Sequence, residues 1–179
     1  MMKATIITGS PHRRGTSALL ADEFIRGARE AGWDTFRFDA AFEEFGPCLG
    51  CDRCGMGSAP CVQKDAVGKL LSELLDSQAV VLATPLYYFG FSAQIKKVID
   101  RFYSRTYALT GGRKAFLLAT AYDQNDWTMK ALTAHYETLA KYMEWEDAGR
   151  VLAVGCGARS DIERSQFPRQ AYQLGLSLK

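Results

Sequence analysis

Long apolar runs are missing from this chain: the longest, such as Ala79-Val-Val-Leu-Ala83, extend over only five or six residues, whereas a membrane-spanning helix needs ~20. An excess of one charge is missing as well. Twenty-two Lys and Arg stand against 20 Asp and Glu, with no basic stripe or tail to neutralise phosphates, so no nucleic-acid partner is expected. The strand pattern begins almost at the first residue, with no charged region, apolar stretch and cleavage site before it, and the expectation is a cytoplasmic protein with no membrane partner. Internal repeats and low-complexity linkers are also absent. With 179 residues, 47% hydrophobic and 23% charged, residues 1–179 are expected to form one α/β domain with a Cys-rich loop at about 40–65.

Short β-branched runs do occur, at Ala4 to Thr8, Thr35 to Asp39, Ala79 to Thr84, Lys114 to Thr120 and Arg150 to Val154. Longer patterns of helical period separate them, which is the signature of βα units wound into a parallel sheet. Leu20, Phe24, Ala28 and Ala31 share one helical face, as do Ile95, Val98, Ile99 and Phe102, and Met129, Leu132, Tyr136, Leu139 and Met143. These stripes read as helix-to-sheet packing. A last helix is expected from Pro168, whose fixed φ suits a first turn, to the C-terminus.

The first strand runs directly into Gly9-Ser-Pro-His-Arg-Arg-Gly-Thr-Ser17. The first N–H groups of a helix lack intrahelical partners and sit at the positive end of its dipole, so an anion can settle there. Ser10, Thr16 and Ser17 offer hydroxyl donors, Arg13 or Arg14 offers charge, and Gly15 lets the backbone approach closely. A triphosphatase loop needs four residues between its glycines and a Lys after the second; here five intervene and no Lys follows. There is no G-x-G-x-x-G either, so a loop around a terminal monophosphate is favoured over a dinucleotide site. A polar connection with an N-cap Ser or Thr is the plain alternative, and His12 reads equally as a phosphate donor or a solvated loop residue.

After the third strand comes Thr84-Pro-Leu-Tyr-Tyr-Phe-Gly90, with Ser92 placed to cap the next helix. In open parallel sheets ligands lie beyond the carboxyl ends of the strands, so this loop is expected beside the first one. Tyr87, Tyr88 and Phe89 in a solvent-facing loop call for a cover, and a planar heteroaromatic ring supplies one. Pro85 stiffens the turn, Gly90 allows close passage, and backbone N–H groups from Leu86 to Phe89 can donate to ring heteroatoms. The aromatics can instead cover the core or a subunit contact.

Taken together, the segments from Gly9 to Thr16, from Pro85 to Gly90 and from Ser92 to Arg101 resemble the NADPH-dependent FMN reductase family, and the Cys segment resembles its iron-sulfur flavoprotein branch. The resemblance implies a three-layer flavodoxin-like fold with a five-stranded parallel sheet in order 2-1-3-4-5. It also implies FMN phosphate on the first loop and the isoalloxazine against Pro85 to Gly90. The loop Thr120-Ala-Tyr-Asp123 would touch the pyrimidine side. Catalysis would rest on flavin N5 rather than a side chain, with NAD(P)H as reductant, an unidentified electron acceptor, and a homodimer or homotetramer.

Disulfides are rare in the cytoplasm, so the clustered Cys48, Cys51, Cys54 and Cys61 need another explanation. Their spacing resembles a compact [4Fe-4S] motif; two widely separated C-x2-C pairs, the usual zinc pattern, are absent. Vacant structural thiols remain an equal alternative, with zinc or a redox disulfide behind. Cys156, at the end of an apolar strand, reads as a buried thiol. Three functions follow: an NAD(P)H-dependent FMN oxidoreductase, a non-enzymatic electron carrier, or an interaction module without flavin. The near-neutral charge weighs against the carrier, since true flavodoxins tend to be strongly acidic.

Overall fold

A computed structural model describes residues 1–178. Its elements run β1 (Lys3–Thr8), α1 (Thr16–Glu30), β2 (Asp34–Asp39), α2 (Ala66–Leu75), β3 (Ala79–Tyr87), β4 (Gly90–Phe91), α3 (Ala93–Arg101), α4 (Thr106–Leu109), β5 (Lys114–Thr120), α5 (Lys130–Tyr142), β6 (Glu146–Ala153), α6 (Arg159–Glu163) and α7 (Phe167–Leu176). The long strands are parallel in the order β2-β1-β3-β5-β6, which is 2-1-3-4-5 when only they are counted. The fold class read from the sequence is therefore the one observed, with the two-residue β4 as an addition.

Alternation along each strand sends successive side chains to opposite layers. Ile7, Val80, Leu82 and Leu117 face one core, which α2, α3 and α5 close with Leu70, Leu74, Ile95, Val98, Leu132 and Tyr136. Ile6, Val81, Phe116 and Leu118 face the other, closed by Leu20, Phe24 and Ala28 of α1 and by Ala171 of α7. The three expected helical stripes are thus core faces, apart from the half-buried Ala31 and Leu139. Phe24 and Phe116 meet at a ring-centroid distance of 5.1 Å, and burying such a side chain contributes about 1.5–3 kcal/mol.

Several boundaries and elements depart from the sequence reading, among them the short α4 and α6. β3 runs on past Thr84 to Tyr87 because β4 returns against it, pairing Leu86 with Phe91 and Tyr87 with Gly90. Pro85 tolerates this place because β1 stops pairing at Ala83, so no neighbour on that side needs its missing N–H. β6 starts at Glu146, four residues before Arg150, drawn into register by β5. Helix α2 follows the Cys-rich segment at once, with Asp65 accepting from the Val67 N–H as its cap. α7 begins with Pro168 in its first turn; Lys179, the end of the expected helix, lies outside the described residues.

Candidate active site at the carboxyl ends of the strands

Gly9 is the hinge on which two loops meet. Its N–H donates to Ala83 O at 2.8 Å, and its carbonyl accepts from Ser92 Oγ at 2.8 Å. A Cβ on Gly9 would stand 2.4 Å from that Oγ and 2.9 Å from Ile95 Cβ, so only glycine lets α3 come this close. Ser92 also receives the Ile95 N–H at the start of α3, the cap anticipated from sequence. The loop from Gly9 and the segment from Pro85 consequently lie side by side.

Together they line a cavity of about 680 Å³, within the 300–1,000 Å³ range of small-molecule and cofactor sites. Ser10, His12, Arg14, Gly15 and Thr16 form one wall, and Pro85, Leu86, Tyr87 and Thr120 another. Four of the expected site residues do not line it. Ser17 is turned into the core, where its Oγ is buried without a partner. Tyr88, Phe89 and Gly90 stand in the hairpin turn beyond the cavity, Tyr88 wholly exposed and Phe89 tilted against Trp127, ring centroids 5.2 Å apart.

That turn carries strain. Tyr88 has φ 45° and Phe89 φ 65°, the left-handed pair that a two-residue type I′ hairpin requires and that Asn-Gly usually supplies. Two aromatic side chains in this region cost about 1–3 kcal/mol each, the kind of expense that collects at functional sites.

The hydroxyls expected to face an anion are partly engaged. Ser10 Oγ accepts from the His12 N–H at 3.1 Å and donates to the His12 carbonyl, which shapes the loop. Thr16 Oγ1 pairs with Thr120 Oγ1 at 2.8 Å and ties α1 to the end of β5. The backbone remains free: Gly15 donates to His12 O and Leu19 donates to Gly15 O, whereas Thr16, Ser17 and Ala18 N–H have no intrahelical acceptor at this end of α1. No acidic residue occupies the first turn and no side chain caps it. Arg13 also lines the cavity, its guanidinium 3.8 Å from the centre of the Phe42 ring.

The far wall joins the expected loop at Ala121 and Tyr122 to residues after β6, Cys156, Gly157 and Arg159, that were not expected at the site. Beyond the strands, Cys156 N–H donates to Ala121 O at 2.8 Å, joining the loops after β5 and β6. Gly157 lies under Tyr122, where a Cβ would stand 2.4 Å from the ring. Arg159 completes the wall and donates to Arg14 O at 3.3 Å and Gly15 O at 3.4 Å. Gly-Cys-Gly directly after the last parallel strand was the available signal. Cys156 is buried, as expected, yet it faces the cavity; burial and then the Asp161 charge push its thiol up, so it stands protonated at neutral pH.

The four clustered cysteines sit elsewhere. Cys48, Cys51, Cys54 and Cys61 line one small void beside Arg101 and Tyr103. At about 20 Å³ it has room for a single water. Among the described residues no group of three or more His, Cys, Asp or Glu is gathered to hold a metal ion. In this arrangement the thiols do not fit a [4Fe-4S] cluster. The segment is fastened by Arg101, 1% exposed, whose NH1 donates to Gly46 O at 3.0 Å and to Asp65 Oδ2 at 2.8 Å, while NH2 donates to Asp65 Oδ1 at 3.1 Å. Burial raises the Asp65 carboxyl, but Arg101 and the Gly46 and Val67 N–H groups outweigh it and hold Asp65 below the usual carboxylate range. No helix among the described residues is long and apolar enough to cross a membrane.

Residues 2–154 match the model of the NADPH-dependent FMN reductase family. An iron-sulfur flavoprotein of Methanocaldococcus jannaschii is 35% identical over 101 residues, 56% of this chain and 51% of that protein; the chain spans about half the length of the curated relatives it matches. Among solved structures, an NAD(P)H:quinone oxidoreductase from Methanothermobacter marburgensis superposes with a TM-score of 0.79 at 18% identity, covering 99% of this chain and 96% of that one. An FMN-dependent NADH-azoreductase from Bacillus anthracis, solved with FMN, gives 0.76 at 12% identity over 98% and 99%. At such identities the two structures speak for the fold alone.

Proposed function

We propose, for a chain that belongs to the NADPH-dependent FMN reductase family, that it holds one FMN non-covalently in the 680 Å³ cavity and passes electrons from NADH or NADPH to a quinone, a free flavin, a small electrophile or a protein. The supporting observation is the joining of two loops through Gly9: one offers uncapped helix N–H groups to a phosphate, the other a stiff apolar wall to a ring.

In this reading Thr16, Ser17 and Ala18 N–H bind the phosphate and Arg14 adds charge, while Ser10 and Thr16 hydroxyls keep the loop in shape. Pro85 and Leu86 back one face of the ring, and Tyr87 shields its rim. Thr120 and Ala121 border the remaining edge with Tyr122. Bound FMN supplies hydride acceptance and onward electron transfer, so no side chain has to act as acid or base. The protonated Cys156 fits that division of labour, as a wall and not a nucleophile.

The reading takes residues 1–179 as one cytoplasmic domain working as a homodimer or homotetramer. Exposed Tyr88, Phe89 and Trp127 beside the mouth support a subunit contact there. A [4Fe-4S] centre on Cys48, Cys51, Cys54 and Cys61 would require the loop to rearrange, and iron and acid-labile sulfide at zero in anaerobically purified protein would remove it.

The test is the anaerobic absorption spectrum before and after NADPH. One FMN per chain, bleached by the nicotinamide, is expected. A flavin reduced only by dithionite would favour the electron carrier, and a colourless protein that takes up no FMN would end the flavoprotein reading.

A further inference from the structure

Arg159 stands out among the cationic groups at the cavity because the protein has already fixed it. Arg13 and Arg14 line the cavity as exposed loop side chains, Arg13 resting against the Phe42 ring, and neither is held by a side-chain hydrogen bond among the described residues. Arg159 instead arrives from the chain after β6 and lays one terminal nitrogen across the carbonyls of Arg14 and Gly15, the residues that lead into α1. Its Nε is held by Glu163 at 2.7 Å. Those anchors leave NH2 without a protein hydrogen bond among the described residues, on a side chain that lines the cavity and is 33% exposed.

A guanidinium held in this way has lost its rotamer freedom before any ligand arrives, so ordering it adds little cost to binding. It stands beside the uncapped N–H groups of Thr16, Ser17 and Ala18. Backbone donors alone offer a phosphate partial charges, and a neutral polar group could use them; a fixed full charge favours a dianion. Arg159 lies beyond residue 154, the last residue matched by the family model.

We propose that Arg159 is the phosphate-selecting residue of the flavin site, making the cavity prefer a 5′-phosphorylated flavin over riboflavin; this rests on the FMN reading above. The free NH2 would present its N–H groups to the phosphate, while NH1 stays on the Arg14 and Gly15 carbonyls and holds the guanidinium in place. Glu163 orients the guanidinium from behind through Nε, at the price of partly offsetting its charge.

The experiment is flavin titration of the full-length protein, freed of bound flavin, followed by fluorescence quenching with FMN and with riboflavin. For Arg159→Gln, FMN affinity is expected to fall about tenfold to hundredfold, the size of a lost charge-assisted contact, with riboflavin changing by less than about threefold. Arg159→Lys should recover part of the difference. Wild-type FMN affinity should also fall more steeply with salt than that of Arg159→Gln, since one cation fewer faces the dianion. Equal weakening of both flavins would overturn the inference and make Arg159 a prop of the first loop. Unchanged FMN affinity would overturn it as well. A wild type that binds neither flavin removes the FMN reading itself, and the inference with it.

Discussion

Asp65→Ala should be among the most damaging single changes in the protein, although Asp65 lies outside the cavity. Arg101 is 1% exposed and Asp65 faces both of its terminal nitrogens, at 2.8 and 3.1 Å. Removing the carboxylate strands a buried guanidinium, which costs about 3–5 kcal/mol. It also removes the acceptor for Val67 N–H at the start of α2, worth about 1 kcal/mol. The sum, about 4–6 kcal/mol, is a large share of the 5–15 kcal/mol that holds a typical domain folded. Asp65→Asn keeps the cap acceptor and should lose about 1 kcal/mol less. Combining Asp65→Asn with Arg101→Met removes both charges, and more than half of the loss should return. The assay is urea unfolding at pH 7, repeated down to pH 3. Asp65 has a folded pKa held below its unfolded value, so its contribution is present above about pH 4 and is lost as pH falls through the folded value. Wild type should therefore lose this component in acid while Asp65→Asn, already without it, should not. An Asp65→Ala protein within about 1 kcal/mol of wild type, or one with the same acid slope, would refute the argument.

Further perturbations probe other features. Gly27→Ala puts a Cβ 2.1 Å from Tyr172 O and 2.8 Å from Leu176 N in α7; backbone atoms cannot step aside, so a loss of about 1–3 kcal/mol is expected in urea unfolding, and an unchanged midpoint would show that the two helices are not in contact there. Tyr88→Asn should raise the thermal midpoint slightly, by relief of about 1 kcal/mol of left-handed strain at a residue with no packing inside its own subunit to lose; a lower midpoint that does not vary with protein concentration contradicts the strained turn, whereas one that does places Tyr88 in the subunit contact. Tyr103 donates to Asp52, chiefly through which its phenol is pushed up to about 12. In ultraviolet difference titration, Asp52→Asn should bring one tyrosine back towards about 10, and an unaltered titration curve would remove that hydrogen bond.

β1, β3 and β5 are legible because each holds a short apolar run between turn residues, and Lys114–Thr120 coincides with β5 to the residue; β2 shows instead Phe36 and Phe38 alternating with polar residues. Glu146-Asp-Ala-Gly149 carries no strand signal, and pairing with β5 alone makes it part of β6. The stripe Val67, Leu70, Leu71 and Leu74 makes α2 a regular amphipathic helix, but it follows the irregular cysteine segment at once and is masked by it. Tyr88-Phe89 gives no hint of a tight hairpin, because sequence rules look there for Asn or Gly. The first loop is readable since Gly9, Gly15 and the hydroxyl residues mark where backbone must come close. Which hydroxyl faces the cavity is a question of helix phase, and that phase takes Ser17 inward. Arg159 is unreadable in principle: it lies more than a hundred residues from Gly15, and only the final crossover brings them together.

The two unusual segments of the chain share one spine. Helix α3 begins at Ser92, bonded to Gly9 O at the cavity, and ends at Arg101, bonded to Gly46 O and Asp65 under the cysteine segment. Lys97, between them, donates to Phe45 O at 3.3 Å and lies 4.3 Å from the centre of its ring. Nine residues at 1.5 Å each separate the two attachments by roughly 13 Å, and buried Ile95, Val98 and Ile99 fix the helix against the sheet. A shift of the cysteine segment therefore reaches the first loop by movement of α3 as a rigid rod, and it must break core packing to do so. Interiors packed to crystal density resist such movement. Both segments are thus held to a common frame: a rearrangement of the cysteine loop that leaves the cavity unchanged has to take place on the cysteine side of Arg101, among Cys48, Cys51, Cys54 and Cys61 themselves.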